Sequence, residues 1–221
     1  MTPLFRPVKS AMPEIILASH NAGKLQELEQ LLVDLPCRII PQPALGIAAV
    51  DETGLTFIEN AILKARHACA ESGRAALADD SGLIVDALGG APGLYSARYA
   101  GSPANDEANI AKLLQALENV PPHQRTARLY SVIVLLRHAN DPQPIIAEGH
   151  WEGAIATAPA GDYRFGYNPL FIDPALGITV AQMDVATRNQ RSHRARALAH
   201  LRHHLLHYCS QCDAFGDQVS Q

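Results

Sequence analysis

The sequence has few cysteines and no long hydrophobic run, and both shortages limit what the protein can be. Its 221 residues include 4 cysteines, and only Cys209 and Cys212 have the two-residue gap of a metal or redox motif. Because this pair lies in a polar stretch with no helix predicted after it, we expect neither role. The chain has no secretory hydrophobic region and no run of membrane-spanning length. These features predict a cytoplasmic protein with no membrane partner.

The sequence also lacks a large excess of charge of either sign. Lysine and arginine total 18 against 22 aspartate and glutamate residues, which gives a net charge of −4. Without a basic field the chain is not expected to bind nucleic acid, so an anionic ligand must be held by local geometry. A small phosphorylated molecule is therefore the favoured partner. With 48% hydrophobic and 18% charged residues, the composition is that of a globular domain with a sizeable core.

The distribution of hydrophobic residues predicts an α/β layer to which an antiparallel hairpin is added. We predict a disordered extension over residues 1–13, one domain or two closely joined lobes over 14–208, and a polar tail over 209–221. Thr56 and Glu59 form a predicted capping box for a helix that Gly73 ends. The predicted strands span 15–19, 37–40, 75–78, 83–88, 127–137 and 145–158, and the predicted helices span 24–33, 56–72, 105–119 and 192–208.

A loop of small and polar residues, Ala18–Lys24, joins the first predicted strand to the first predicted helix. The first N–H groups of a helix lack internal acceptors, so such a turn can bind a phosphate. The loop is not a Walker A motif, because that motif needs Gly where Ala18 stands and Ser or Thr where Leu25 stands. An ordinary turn with a surface lysine is the alternative interpretation.

Two acidic pairs predict a metal site. We interpret Asp79 and Asp80 as lying in a turn at a strand end, where adjacent carboxylates are costly unless a cation compensates their charge. Asp51 and Glu52 lie on a loop before the capped helix. If that loop folds toward Asp79 and Asp80, the carboxylates form an oxygen-rich site of the kind that Mg²⁺ prefers.

Two polar helix faces are predicted to be exposed to solvent. Asn60 and Lys64 lie four residues apart opposite an apolar stripe, an arrangement that usually marks a solvated face. The last predicted helix carries histidines at a spacing that could bind zinc, but its leucines already define a buried face, so an exposed surface is favoured. These histidines are His200, His203, His204 and His207.

Six motifs resemble, in the same order, those of the inosine triphosphate pyrophosphatase family, the bacterial diphosphatases of non-canonical purine nucleoside triphosphates. The resemblance covers about residues 14–207. It implies an elongated mixed sheet flanked by helices, two lobes with the active site in the cleft between them, and a homodimer. It also implies Mg²⁺-dependent hydrolysis of inosine, deoxyinosine and xanthosine triphosphates to the monophosphate and pyrophosphate. The motifs are Ser19–Lys24, Glu52–Lys64, Ala78–Leu83, Leu88–Arg98, Phe165–Pro169 and Ser192–Arg194.

The resemblance implies roles for residues at the phosphate end of the substrate. Asp80 matches the family's acid–base position and would bind Mg²⁺ and activate the attacking water. Glu52 and Asp51 would be further metal ligands. Glu27 would orient the loop lysine or a metal-bound water, and Ser81 would donate to the substrate. The triphosphate would be held by Ser19, His20, Asn21, Ala22, Gly23 and Lys24.

At the base end, the resemblance implies a pocket in the second half of the chain. Phe165 and Tyr167 would stack on the purine, and hydrogen-bond donors would suit a 6-oxo base while opposing the amino group of adenine. The chain departs from the family at Asn168 and Arg188, where Asp and Lys are usual. The residues assigned to this pocket are Phe165, Gly166, Tyr167, Asn168, Arg188, His193 and Arg194.

Two alternative functions remain. Maf-type nucleotide pyrophosphatases have a related fold, although the Ser192–Arg194 motif fits them poorly. The other alternative is a catalytically silent nucleotide-binding protein on the same scaffold. Asp80 argues against that alternative, because a pure binder gains little from an unscreened carboxylate beside a phosphate loop.

Overall fold

The computed structural model describes residues 12–215 and contains one six-stranded sheet with helices on both faces. The strand order is β2-β1-β3-β4-β5-β6. Strand β1 pairs in parallel with β2 and β3, and the other neighbours are antiparallel. This mixed sheet flanked by helices confirms the predicted fold class. The strands are β1 (Glu14–Leu17), β2 (Arg38–Pro41), β3 (Ala75–Val85), β4 (Thr126–Leu136), β5 (Ile145–Ile155) and β6 (Phe171–Ile172). The helices are α1 (Ala22–Leu31), α2 (Phe57–Ser72), α3 (Asp106–Ala116), α4 (Val185–Arg191) and α5 (His193–Phe215).

Most predicted elements are present within a few residues of their expected bounds. The Thr56 side chain accepts the Glu59 N–H and the Glu59 side chain accepts the Thr56 N–H, so the capping box of α2 is formed. Gly73, with φ 67°, ends that helix as predicted. Strands β4 and β5 form the predicted antiparallel hairpin. Strand β6 and helix α4 are short elements that the sequence analysis did not predict.

Helix α5 continues beyond its predicted end. It is expected to end at about Tyr208 but runs to Phe215, so the first part of the predicted polar tail is helical. Between Tyr208 and Gly216 the sequence has neither glycine nor proline. It therefore contains no strong signal that would end the helix before Gly216. The remainder of the tail, 216–221, and the extension over 1–11 lie outside the described residues, as does the side chain of Cys212.

Strand β3 passes straight through the segment predicted to be a turn. Residues 79–82 pair one by one with residues 130–133 of β4, within a continuous strand, Ala75–Val85. The prediction of two strands separated by a turn is therefore wrong. Its cause is physical: pairing with a distant strand supplies the backbone partners, and it overrides the local turn signal of the Asp-Asp-Ser-Gly sequence.

Two hydrophobic layers cover the sheet. Helix α2 packs its small residues against β3 and β4 on one face, and α1 and α5 pack against the other face. A third cluster, around Trp151 and Phe171, joins α3 to the β5–β6 end of the sheet. Within residues 12–215, none of the helices combines the length and apolar character needed to cross a membrane.

The side chains of β3 alternate between these two layers. Leu77 belongs to the cluster under α1 and α5, whereas Ala78 belongs to the cluster under α2. Because successive strand residues point to opposite faces of a sheet, Asp79 continues the first face and Asp80 the second. The two adjacent carboxylates therefore do not form a close pair.

Candidate active site

The connection between β1 and α1 has the predicted geometry of strand, loop and helix N-terminus. Asn21 is the N-cap of α1, and its side-chain oxygen accepts the Lys24 N–H at 3.0 Å. The Ser19 Oγ accepts the Asn21 N–H at 3.2 Å. Since the helix begins at Ala22, its first-turn N–H groups lie next to this loop and can serve an anion there.

One buried cluster joins Lys24, in the first turn of α1, to β3 and α5. Lys24 Nζ lies 2.9 Å from Asp79 Oδ2, and Arg194 contacts Glu27 at 2.7 Å and Asp79 at 3.4 Å. Arg194 Nη2 also donates to Ser81 Oγ at 2.7 Å. Burial raises the pKa of Asp79, but Lys24 and Arg194 outweigh it and hold that pKa well below its usual range. Burial lowers the pKa of Lys24, although Asp79 opposes this shift.

A second cluster lies on the opposite face of β3. Lys64 Nζ is 2.8 Å from Asp80 Oδ1 and 2.9 Å from Glu52 Oε1, and Arg98 Nη1 is 3.3 Å from Glu52 Oε2. Burial raises the pKa of Asp80, and Lys64 and Lys24 only partly oppose this rise. For Lys64, burial lowers the pKa, but Asp80 and Glu52 outweigh it and the pKa is raised. Asp80 is therefore a buried carboxyl group with an increased affinity for a proton.

A cavity of about 490 Å³ connects the two clusters. Lys64 and Arg98 also line it, although the sequence analysis missed both. Lys64 is predicted to lie on a solvated face, but its side chain is only 14% exposed, and Asn60 is buried with its oxygen accepting the Gly54 N–H. The signal that could have found Lys64 is its place in the Glu52–Lys64 motif. The predicted phosphate and metal residues that line this cavity are Ser19, His20, Asn21, Lys24, Asp51, Glu52, Asp79, Asp80 and Ser81.

The four predicted carboxylates do not form one ligand cluster. Among the residues that the structure describes, no group of three or more His, Cys, Asp or Glu side chains could hold a metal ion. Asp79 lies on the other face of β3, and Lys64 stands between Asp80 and Glu52. Asp51 lines the same cavity as Asp80 and Glu52. With Asp79 paired to Lys24 and Arg194, the carboxylates that remain beside this cavity are those of Asp51, Glu52 and Asp80.

A smaller cavity, of about 90 Å³, adjoins the phosphate side. Asn21, Lys24 and Ser81 line both cavities. The Phe165 ring lies against the phosphate loop, because a Cβ built on Gly23 would overlap that ring. The small cavity, called the base-side cavity below, brings together Phe165, Gly166, Tyr167, Asn168, His193 and Arg194.

The residues predicted to bind the purine base differ in burial and in the hydrogen bonds they already make. Tyr167 is buried in the cluster around Trp151, and its hydroxyl donates to the Ser96 carbonyl at 2.8 Å. Phe165 is thus the better placed ring for stacking. His193 is buried, and its Nδ1 has no hydrogen-bond partner. Burial and the neighbouring Arg194 lower the pKa of His193 well below 6.5, so its imidazole is neutral at pH 7.

Arg188 is not among the residues of the base-side cavity. Its guanidinium stacks over the Tyr163 ring at 3.7 Å, and together with Glu27 it lines a separate open groove of about 1000 Å³. Arg188 lies on α4, whereas His193 and Arg194 begin α5 after a corner in the chain. The structure therefore does not bring Arg188 to the other predicted donors. Arg194 lies mainly on the phosphate side, between two carboxylates.

Comparison with known proteins gives consistent matches over nearly the whole chain. Residues 15–204 match the model of the Ham1 family. A dITP/XTP pyrophosphatase of Xanthomonas campestris pv. campestris (strain 8004) is 63% identical over 194 residues, 88% of this chain and 98% of the relative. A dITP/XTP pyrophosphatase of Yersinia pestis is 54% identical over 187 residues, 85% of this chain and 95% of the relative.

Two solved structures show the same arrangement of elements. A HAM1 protein from Coxiella burnetii superposes with a TM-score of 0.82 at 47% identity, covering 89% of this chain and all of that chain. The Staphylococcus aureus Ham1 protein has a TM-score of 0.77 at 40% identity and covers 88% of this chain and 99% of its own.

Proposed function

The chain belongs to the Ham1 family, and from this premise we propose that it hydrolyses inosine, deoxyinosine and xanthosine triphosphates to the monophosphate and pyrophosphate. One observation carries the proposal. A single cavity combines a helix N-terminal loop, two mostly buried lysines and the buried carboxyl group of Asp80. The chain's similarity to proteins named dITP/XTP pyrophosphatase supports the choice of substrate.

The triphosphate is held between the loop and the two lysines. Ser19, Asn21 and the N–H groups at the start of α1 contact the phosphates on one side. Lys24 and Lys64 bring positive charge from opposite faces of β3. Both lysines are mostly buried, with 15% and 14% of the side chain exposed, so their attraction to phosphate is weakly screened by solvent.

The donor set of the cavity fits Mg²⁺ bound together with substrate. Mg²⁺ in nucleotide enzymes usually takes one or two protein carboxylates and completes its shell with water and phosphate oxygens. Asp80 and Glu52 would supply those carboxylates, and Asp51 lies in the same cavity. The ion would contribute charge stabilisation on the phosphate oxygens. In the structure Lys64 bridges these two carboxylates. When substrate is bound, its phosphates would be a further partner for this lysine.

Asp80 acts as the proton acceptor in the reaction. A water beside Asp80 attacks the α-phosphorus, the bond from that phosphorus to the bridging oxygen breaks, and pyrophosphate leaves. Asp80 orients this water and takes up its proton, since its carboxylate lines the cavity that holds the phosphates. Lys24 and Lys64 reduce the repulsion between the carboxylates and the phosphate chain.

The base-side cavity distinguishes a 6-oxo purine from adenine. Phe165 stacks on the ring, and the neutral His193, whose Nδ1 is unpaired, offers a hydrogen-bonding atom to the base edge. A site that donates to a 6-oxo group would face the adenine amino group donor to donor and would leave a buried group unpaired. Arg188, in its separate groove, does not take part in this contact.

The proposal also includes a homodimer in the cytoplasm that acts on the free nucleotide pool. The resemblance in sequence to a dimeric family supports the dimer, and the net charge of −4 supports a small anionic ligand over nucleic acid. Light scattering during gel filtration tests the dimer. A monomer at micromolar concentration would remove the dimer from the proposal without affecting the reaction.

Product analysis tests the reaction itself. With ITP and Mg²⁺, we expect inosine monophosphate and pyrophosphate in equal amounts. Inosine diphosphate and orthophosphate would show cleavage at a different bond and contradict the proposal. Binding of ITP without any product would favour the catalytically silent protein. The match of residues 15–204 to the Ham1 family model favours the diphosphatase over the Maf-type alternative.

A further inference from the structure

The turn that carries Phe165 and Asn168 is tied to helix α3 by one side chain, Asp106. Asp106 Oδ2 accepts the Gly166 N–H at 2.8 Å. Asp106 is the first residue of α3, after the N-cap Asn105, and it lines the base-side cavity together with the turn. An acidic residue in the first turn is favourable with the helix dipole, so α3 presents a stable carboxylate to this turn.

Gly166 offers no side chain by which the turn could be anchored. Its φ is 55°, in the left-handed region that glycine adopts without strain. A Cβ built there would meet nothing within 4 Å, so this point of the turn faces open space. Gly166 is therefore held through its backbone, by the hydrogen bond from its N–H to Asp106 of α3.

Contacts on either side of Gly166 show why its position matters. The Tyr167 hydroxyl donates to the Ser96 carbonyl at 2.8 Å, which fixes the turn to the core. On the other side, the Phe165 ring lies on Gly23 of the phosphate loop. The backbone bonds of Phe165 stay within this segment: its N–H donates to the Tyr163 carbonyl at 3.1 Å, and its carbonyl accepts the Asn168 N–H at 3.2 Å. Loss of the Asp106 bond would thus loosen Phe165, and with it the Asn168 N–H that is bonded to the Phe165 carbonyl, while the Tyr167 hydroxyl stays anchored.

We propose that Asp106 is a positioning residue for base recognition, which acts by holding the Gly166 N–H so that Phe165 and Asn168 line the base-side cavity. The inference rests on the proposed function, because it takes this cavity as the place where the purine binds. Asp106 is exposed and lies outside the hydrophobic core. It touches the turn and acts through Phe165 and Asn168 rather than on the reacting phosphate.

Three variants separate this role from a general effect on α3. Asp106→Ala removes the acceptor, whereas Asp106→Asn keeps an oxygen that can accept the Gly166 N–H. Glu107→Ala is the matched control, because it removes a second exposed carboxylate from the same helical turn and loses a similar interaction with the helix dipole. Glu107→Ala leaves the hydrogen bond between the Gly166 N–H and Asp106 intact.

Calorimetric titration with two probes that need no turnover provides the readout. Inosine monophosphate carries the base, whereas inorganic tripolyphosphate has no base and engages only the phosphate cavity. We expect Asp106→Ala to raise the Kd of inosine monophosphate about tenfold, since one charge-assisted hydrogen bond is lost at the base side. The Kd of tripolyphosphate should stay within about twofold of the wild-type value. Asp106→Asn should keep inosine monophosphate affinity within about threefold of wild type, and Glu107→Ala should match wild type for both probes.

Several results would overturn the inference. These are an unchanged affinity for inosine monophosphate in Asp106→Ala, equal losses for both probes, or an equal loss in Glu107→Ala. If Asp106 only supported the fold, its loss would reduce the affinity for both probes together. The ratio of the two Kd values therefore distinguishes a structural role from a role in base recognition. Failure of the proposed function is a separate result, namely wild-type protein that binds both probes but releases no pyrophosphate from ITP.

Discussion

Asp79 and Asp80 are neighbours in sequence, but their side chains lie in different surroundings because strand residues alternate between the faces of a sheet. Asp79 is fully buried and paired with Lys24 and Arg194, so it holds two cations in place. Asp80 lines the phosphate cavity, pairs with Lys64 and has a raised pKa. In the proposed function, positioning and proton transfer are thus divided between adjacent residues.

The assignment of proton transfer to Asp80 leads to the first prediction. Asp80→Asn should lower kcat for ITP by at least about a hundredfold, because loss of a general base typically costs that much. Nucleotide binding should remain measurable by calorimetry, since Lys24 and the phosphate loop are unchanged. Asp34→Asn, at an exposed aspartate between α1 and β2, is the control and should keep the wild-type kcat. A kcat for Asp80→Asn within about tenfold of wild type would contradict the assignment.

Asn168 leads to a second prediction, on selectivity. A carboxylate at this position would only accept a hydrogen bond, which suits the protonated N1 of hypoxanthine, whereas an amide can also donate to the N1 of adenine. Asn168→Asp should therefore raise the ratio of kcat/KM for ITP to that for ATP by roughly tenfold. Steady-state kinetics with both nucleotides measure this ratio. An unchanged or lower ratio would show that Asn168, although it lines the base-side cavity, does not read the base.

At the scale of secondary-structure elements, a buried carboxylate fixes the corner between α4 and α5. Asp173 Oδ2 accepts the Trp151 Nε1–H at 2.8 Å and the Arg191 Nε–H at 2.8 Å. Arg191 is the last residue of α4, and His193 is the first residue of α5. Asp173 thereby ties the end of α4 to β5, just before the residues that enter the active site.

The charge of Asp173 gives a prediction on stability and pH. Burial raises the pKa of this carboxyl, but hydrogen bonds from Trp151 and Arg191 outweigh burial and lower it. A folded-state pKa below the unfolded value of about 4 stabilises the fold above that pH, and this stability is lost as pH falls through the folded-state pKa. Asp173→Asn should cost about 3 kcal/mol at neutral pH. Urea unfolding should show this difference from wild type shrinking below about pH 4. A difference that stays constant as the pH is lowered would contradict the role of the charge.

Elements whose ends are set by local residues were predictable, and elements set by distant pairing were not. Helix α2 has its capping box and Gly73 within its own sequence, so its bounds agree closely. The middle of β3 carries turn-forming residues, and only its pairing with β4 makes it a strand. Helix α4 has 7 residues, too few for a clear helical period.

At the scale of the whole molecule, the sheet gathers segments from three distant parts of the chain. The start of α1, the middle of β3 and the start of α5 meet through Lys24, Asp79 and Arg194. The motifs predicted which segments belong to the site, because each has its own residue pattern. They could not predict that Lys64 would bridge two carboxylates or that Arg188 would stack on Tyr163, since those contacts depend on how the segments pack.

The histidine-rich helix gives a prediction for the intact protein. Within the described part of the chain no group of three metal-binding side chains is present, and His200 already contacts the Glu148 carbonyl at 3.1 Å. Treatment with a zinc-selective chelator should therefore leave the Tm unchanged in a thermal unfolding experiment. A large decrease in Tm would indicate a structural zinc ion.

Pyrophosphate release from a panel of nucleoside triphosphates with Mg²⁺ tests the central claim most directly. The panel sets ITP, dITP and XTP against ATP and GTP at matched concentrations. Because a mismatched hydrogen bond in a buried base site is strongly rejected, kcat/KM for the first three should exceed that for ATP by at least about a hundredfold. Equal kcat/KM values for ITP and ATP, or no pyrophosphate from any member of the panel, would contradict the account.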